Sequence, residues 1–245
     1  SRMMNQIHDE AREQGDIVSG LWASQSHLYS RFDYGLAVNS YDWEIDPTFG
    51  GFSYSPMSDE DESEAHVYFV DAEEAAAMLP GIYEQMRQQT AGSVDRNPGR
   101  WRYQLFDEER VRDGASALFF AICEEDGEQT GYVAYRMRRK GDTDMGVLEV
   151  VEQVSVTDTA HATMWRFLMN FDLVGKITAT NRPADDPLWW MLSDPRRLDR
   201  TSHDALWVRL LDIPKALEAR TYNADGQLKI GLVSESQPSV AGTYV

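Results

Sequence analysis

The segment "LYSRFDYG", Leu28–Gly35, sets two phenols, Tyr29 and Tyr34, on either side of Arg31. A phenol with an ordinary pKa near ~10 stays protonated at pH 7 and can give its proton to a strong base formed during a reaction. It can equally pack the end of a short helix, and residue type alone favours that use for both tyrosines. Other chemistries find little support. The histidines His8, His27, His66, His161 and His203 show no H-x-x-x-H spacing, and the single Cys123 cannot form C-x-x-C, so no metal site is expected. No G-x-S-x-G elbow marks a serine hydrolase.

The elements around this segment can be read from pattern. Residues 2–14 put Met3, Met4, Ile7 and Ala11 at helical spacing, with Gly15 as a stop. "DIVSGLWAS" reads as a buried strand. Ser24 or Ser26 can cap the following helix, in which Leu28 and Phe32 face inward and which Gly35 ends. "LAVNSYDWEID" is a second strand. Residues 47–63, with two prolines, two glycines and the acidic run Asp59–Glu62, read as a linker.

From His66 the pattern is strand, helix "AEEAAAMLPGIYEQMRQQT" capped by Asp71, and a second helix after "NPGRW". Strands "ALFFAICEE", "TGYVAYRMRR" and "GVLEVVEQVSV" follow, joined by a Gly127 turn and by "KGDTDMG". Then come a helix capped by Asp158, the strand "KITATNR", the short helix "DPLWWMLSDPRRL", the strand "DALWVRLLD" and a helix with Pro214 in its first turn. The order β-α-α-β-β-β-α-β-α-β gives an α+β class with α/β-like character: mixed central β-sheets flanked by helices. The opening helix-strand-helix-strand repeats the second half of that order, so two copies of one fold in tandem is the economical reading, with the first copy truncated.

The 245 residues leave room for one large or two ordinary domains. The formal net charge of −18 argues against binding a phosphate backbone and permits attraction of cationic substrates such as polyamines, lysine side chains or amino sugars. No apolar run approaches the ~20 residues of a membrane helix, so neither nucleic acid nor membrane is expected as a partner. With one cysteine there is no intrachain disulfide, and a reducing cytoplasm is the simplest compartment.

The element order, with "ASQSHLYSRFDYG", "LEVVEQVSVTDTAHATMWRFLMNFDLV", "DPLWWMLSDPRRL" and "DALWVRLLDIPKALEARTY", resembles the GNAT acetyltransferases, specifically the Eis-like (enhanced intracellular survival) N-acetyltransferases. The resemblance implies two tandem GNAT folds and a sterol-carrier-protein-like third domain, whose opening "PSVAGTYV" resembles. On that reading residues 1–46 are the end of the first GNAT domain, 64–220 the second, without a CoA loop, and 221–245 the start of the third. The implied activity is transfer of an acetyl group from acetyl-CoA, as substrate, to a primary amine of an aminoglycoside, lysine or polyamine-like acceptor. The family tends to form hexamers, so a homo-oligomer is implied. The acetyl-CoA fingerprint R-x-x-G-x-G/A should lie just before Ser1, so this chain alone is expected neither to bind acetyl-CoA nor to transfer efficiently. The strands at 16–24 and 36–46 are expected to lack sheet neighbours.

By the resemblance Tyr29 is the general acid that protonates the CoA sulfur, while Tyr34 packs the helix end. Ser1 would be the last small residue of the pyrophosphate loop and Arg2 would stand just inside the helix; a chain end is the plainer reading of both. Arg31 can reach a CoA phosphate or pair with a surface acid. Ser24 can sit near the acetyl group or cap the helix. Trp22 falls where the family lines its amine pocket, and by itself reads as core. Asp33 stands where the family has glycine. The implied base is the chain's own C-terminal carboxylate, so no residue here is assigned to that role. Trp165, Trp189, Trp190 and Trp207 read as core, with Trp190 a candidate for a rim. A catalytically silent tandem GNAT scaffold, acting in binding or assembly, is the alternative.

Overall fold

Strand β4 (Phe119–Glu125) shows how the larger part of the chain is built. Its residues alternate between two apolar surfaces: Phe120 and Ile122 enter one core, Ala121 and Cys123 the other. A strand buried on both faces needs cover on both, and two helices provide it. Helix α3 (Ala72–Gln89) lays Ala75, Leu79, Ile82 and Tyr83 on the first face, and α5 (Asp158–Met169) lays Ala160, Met164, Trp165 and Leu168 on the second.

The computed structural model describes residues 2–53, 65–139, 145–233 and 241–244. The chain forms two compact units, residues 41–201 and residues 1–40 with 202–245, and the division falls inside strands β2 (Gly35–Ile45) and β8 (Asp199–Leu210). In unit 41–201 the strand order is β7-β6-β5-β4-β3, from β7 (Val174–Pro183), β6 (Gly146–Ser155) and β5 (Glu128–Arg138) to β3 (His66–Val70). Pairings are antiparallel from β3 to β6, and β6–β7 is parallel, with α5 as the crossover. The mixed sheet with helices on both faces is as the sequence order implies.

Local chemistry sets the element ends. Asp71 accepts from the N–H groups of Glu73 and Glu74 while the Glu74 carboxylate returns to the Asp71 N–H, a full capping box. Pro80 lies within α3, which continues to Gln89. Thr157, not Asp158, caps α5; Asp158 falls in the first turn. Gly131 is required in β5, because a Cβ there would stand 3.2 Å from the Ala160 Cβ and from the Val154 carbonyl oxygen. Trp165 is core, whereas Trp190 is 75% exposed. Residues 47–53, read above as linker, are docked: Asp46 caps a 3-10 turn and Phe52 bridges to Leu192. The acidic run Asp59–Glu62 and most of the "KGDTDMG" turn lie outside the described residues.

In the other unit, β1 (Val18–Trp22) pairs antiparallel with β8 from Leu206 to Leu210, and β8 lies between β1 and β2. This corrects the expectation that the opening strands lack sheet neighbours, and it places the late strand "DALWVRLLD" with the start of the chain. Helix α7 (Ile213–Glu218) has Pro214 in its first turn, as read, below an Asp212 cap. Short strands β9 (Ile230–Leu232) and β10 (Gly242–Tyr244) pair with each other.

The seven-residue helix α4 (Pro98–Gln104) is too short to persist alone. It is held through Arg96, whose guanidinium lies 3.8 Å from the Tyr83 ring centre and 4.9 Å from that of Trp101 and bonds Glu152 at 2.6 and 3.0 Å. The Tyr132 hydroxyl donates to the same carboxylate at 2.7 Å. Arg96→Lys keeps the charge but loses the flat stack and the fork. It should lower stability by about 1–3 kcal/mol. Urea unfolding followed by tryptophan fluorescence measures this, and an unchanged midpoint would mean that the stack adds nothing.

Candidate active site

Helix α1 (Arg2–Glu13) is amphipathic, but its covered stripe is not the one expected. Met3 and Ile7 are exposed, while His8 is 1% exposed with Met4 and Ala11 half-covered beside it. The inward face is thus rotated by about one position and carries an imidazole at its centre. Gly15, at φ 91°, closes the helix as read, and the Asp16 N–H bonds the Ala11 carbonyl behind it.

Strand β1 also differs from its reading as buried. Ser19 and Leu21 are half-covered, whereas Val18 and Trp22 point outward, Trp22 with 73% of its surface exposed. Trp22 is therefore not core. Beyond it, Ser24 is exposed and caps nothing; the N-cap position of α2 (Ser26–Tyr29) is Gln25, with no side-chain bond. A 3-10 turn, Ser30–Phe32, follows. Gly35 does not end it. Asp33 does, in the left-handed region at φ 60°, a conformation that Asp and Asn tolerate better than most residues. This reversal lets the Tyr34 N–H reach the Tyr29 carbonyl at 3.3 Å, and the two rings meet edge to face at 6.1 Å and 78°.

Tyr34 is 5% exposed and carries more than packing. Its hydroxyl lies 3.0 Å from His8 Nε2 and 2.7 Å from Ser19 Oγ. The other imidazole nitrogen, Nδ1, is 2.7 Å from Arg209 Nη1. A guanidinium has donors only, so Nδ1 must accept. The ring proton then sits on Nε2 and is donated to Tyr34 Oη, which shares a second hydrogen bond with Ser19 Oγ. One residue that cannot accept thus orients a chain from β8 through α1 to Tyr34. Burial, then the charges of Arg209 and Arg12, push the His8 imidazole below its ordinary 6.5, so it is neutral at pH 7.

Of the residues singled out in the sequence, the structure brings Tyr29 and Tyr34 together and leaves Tyr29 half-buried at the end of α2. Arg2 and Arg31 are exposed and form no ion pair with another described residue. Ser1 lies outside the described residues. His8, Ser19 and Arg209 escaped the sequence reading; the available signal was a histidine four residues after Met4 and three before Ala11, on the stripe itself. Elsewhere, residues 41–201 hold a second buried cluster in which Asp186 accepts from Arg182 and from the Leu188 N–H, with His161 Nε2 at 3.1 Å. Burial alone would raise the Asp186 carboxyl, but Arg182 and His161 overrule it and hold it well below the usual range. A cavity of about 660 Å³ between α3 and α4 is lined by Pro80, Tyr83, Arg96 and Trp101; its central cation is already committed to Glu152, and it contains none of the candidate residues. Among the described residues no three metal-ligating side chains cluster, and no helix is long and apolar enough to cross a membrane.

Comparison with known proteins sets this geometry in context. Residues 92–214 match the acetyltransferase (GNAT) domain family. An uncharacterised N-acetyltransferase of Streptomyces coelicolor is 35% identical over 224 residues, 91% of this chain and 53% of that protein. The N-acetyltransferase Eis of Mycobacterium tuberculosis is 33% identical over 222 residues, 90% of this chain and 52% of that protein. The crystal structure of Eis1 from Mycobacterium abscessus superposes with a TM-score of 0.78 at 29% identity, over 96% of this chain and 57% of that one. The chain spans about half the length of the curated relatives it matches.

The donor logic can be checked directly. Nitrogen-15 NMR of His8 at pH 7 should show a bare Nδ1 and a protonated Nε2, with a titration midpoint below the ordinary 6.5. A signal from protonated Nδ1 near neutral pH would overturn the assigned direction of the chain. Because the folded-state pKa is lowered, the unfolded chain takes up the proton first. Stability should therefore fall as pH drops below about 6.5, and less steeply in His8→Gln.

Proposed function

Because this chain belongs to the GNAT acetyltransferase family, we propose that the full-length protein moves an acetyl group from acetyl-CoA to a primary amine, with Tyr29 as general acid. The observation that carries the proposal is the placement of Tyr29: a half-buried phenol at the end of α2, within the "LYSRFDYG" motif, with its ring against a buried neighbour.

Direct transfer accounts for every atom. The amine nitrogen adds to the thioester carbonyl carbon, the C–S bond breaks, and the departing sulfur takes the Tyr29 proton. The nitrogen loses one proton, which restores the phenol through solvent or a base that this sequence does not identify. A neutral donor suits a leaving thiolate, because protonation in the transition state avoids releasing a free anion. Arg2 and Arg31, exposed cations without ion-pair partners among the described residues, fit the role of holding CoA phosphates. The exposed indole of Trp22 offers an apolar and cation-accepting face to the amine. An aminoglycoside, lysine or polyamine-like acceptor fits the net charge of −18. We extend the proposal to a cytoplasmic homo-oligomer in which residues 1–46 and 64–220 derive from tandem GNAT copies.

Two measurements test this. Full-length protein supplied with acetyl-CoA and aminoglycosides, polyamines or lysine peptides should release free thiol; a folded protein that releases none with any amine would leave the scaffold reading. Tyr29→Phe, which keeps the ring and removes the proton, should lower kcat by about 10²–10⁴ and leave substrate KM values nearly unchanged. Wild-type kcat in that variant would return Tyr29 to packing.

A further inference from the structure

A general acid must hold its proton in one place, and nothing in α2 alone does this for Tyr29. The helix is four residues long, and no other described residue hydrogen-bonds the Tyr29 hydroxyl. What touches the ring is the edge of Tyr34, at 6.1 Å, and what fixes Tyr34 is its own hydroxyl, held at two points. Resting on the reading of Tyr29 as proton donor, we infer that Tyr34 is a positioning residue that sets the orientation of the Tyr29 phenol, and that His8 and Ser19 hold Tyr34 in place for that purpose.

Three observations converge. First, the left-handed turn at Asp33 folds Tyr34 back onto Tyr29, so ring and backbone contacts join the same two residues. Second, Tyr34 is buried, and its hydroxyl accepts from His8 and shares a hydrogen bond with Ser19, so the ring is tethered at two points; a phenylalanine would fill the space without the tether. Third, the tether has a defined sign. It requires His8 with its proton on Nε2 only, because Nδ1 faces a guanidinium. A doubly protonated His8 would point a donor at Arg209 Nη1 across 2.7 Å, and the imidazole would have to leave. The charged and titratable groups around His8 are Arg209 from β8, Arg12 and Asp9 from α1, Asp33 from the turn, and Tyr34 itself. The two arginines oppose a further proton and the two aspartates favour it.

The test is a double-mutant cycle in the full-length protein, read as thiol release from acetyl-CoA with an acetylatable amine. Tyr34→Phe should lower kcat by about ten- to a hundredfold with KM values within about twofold, the cost of a misplaced rather than missing acid. If Tyr34 acts through Tyr29, the Tyr29→Phe/Tyr34→Phe double variant should be no slower than Tyr29→Phe alone. A merely structural role would instead add its loss to that of Tyr29→Phe. Wild-type kcat in Tyr34→Phe, or multiplied losses in the double variant, overturns the inference while leaving Tyr29 as the acid. Wild-type kcat in Tyr29→Phe overturns the acid assignment, and this inference with it. Ser19→Ala, which removes one of the two tethers on the Tyr34 hydroxyl, carries the same expectations if Tyr34→Phe does not fold. A second readout is pH: wild-type kcat should fall with an acid limb below about pH 6.5 that His8→Gln lacks, at equal amine concentration so that the amine's own titration cancels. The same limb in both proteins would remove His8 from the device.

Discussion

Arg209 can donate and cannot accept, and the unit formed by residues 1–40 and 202–245 is arranged around that fact. The guanidinium is 5% exposed and bonds an imidazole that is 1% exposed. Once Nδ1 must accept, the bond between His8 Nε2 and Tyr34 has one direction available, and each element supplies a residue that serves the chain. The inner face of α1 needs a histidine where an aliphatic would fill the space as well. The covered face of β1 needs Ser19, and the turn needs a tyrosine where a phenylalanine would pack. Four segments therefore meet at one polar chain, and replacing any link by an apolar residue strands its neighbour in a buried place, a cost of about 1–3 kcal/mol.

Residues 41–201 solve the same problem differently. Arg182 is also buried and Arg96 partly so, but each is closed by a carboxylate, Asp186 and Glu152 respectively. Those pairs sit beside large apolar surfaces on both faces of the sheet, which carry the stability. At Arg209 the carboxylate of Asp33 stands at 3.8 Å, and a neutral imidazole takes a contact at 2.7 Å. Such an arrangement favours a unique geometry over stability, which fits the proposal that this segment holds the Tyr29 phenol in one orientation.

The sequence revealed the parts of this design that are local. The cap at Asp71, Pro214 in the first turn of α7, the stop at Gly15 and the order from β3 to β8 follow from turn chemistry and periodicity within windows of ten to twenty residues. The GNAT relationship and the motif around Tyr29 were legible for the same reason. Three features were not. The inward stripe of α1 was misread because Met3 and Ile7 are more apolar than His8, and periodicity weighs hydrophobicity, not hydrogen bonding. The outward face of β1 carries Val18 and Trp22, the residues that a strand ordinarily buries. The partnership of β1 with β8 joins segments nearly a chain length apart, and no local pattern encodes it. These three fall in the same unit, where polar constraints override the apolar pattern, whereas the shifted cap of α5 and the docking of residues 47–53 lie in residues 41–201.

Charge poses a last requirement that geometry answers. The proposed acetyl transfer to an amine asks one surface to receive a cation and a polyanion. A net charge of −18 serves the first and opposes the second. The two demands separate by distance, because a diffuse field is screened beyond about 8 Å at physiological salt whereas a phosphate is held by contacts at bonding range. Near the proposed phosphate-binding side chains, the acids adjacent in sequence are already engaged: Asp9 bonds Arg12 at 2.7 Å, and Asp33 faces Arg209 at 3.8 Å. The first turn of α1 holds no acid at all. Arg2 and Arg31 are thus left as local positive charge on an acidic protein. The aspartate that turns the chain at position 33 also faces the buried guanidinium and leaves Arg31 unpaired among the described residues, so one residue bears on both the orientation of the proposed acid and the charge beside it.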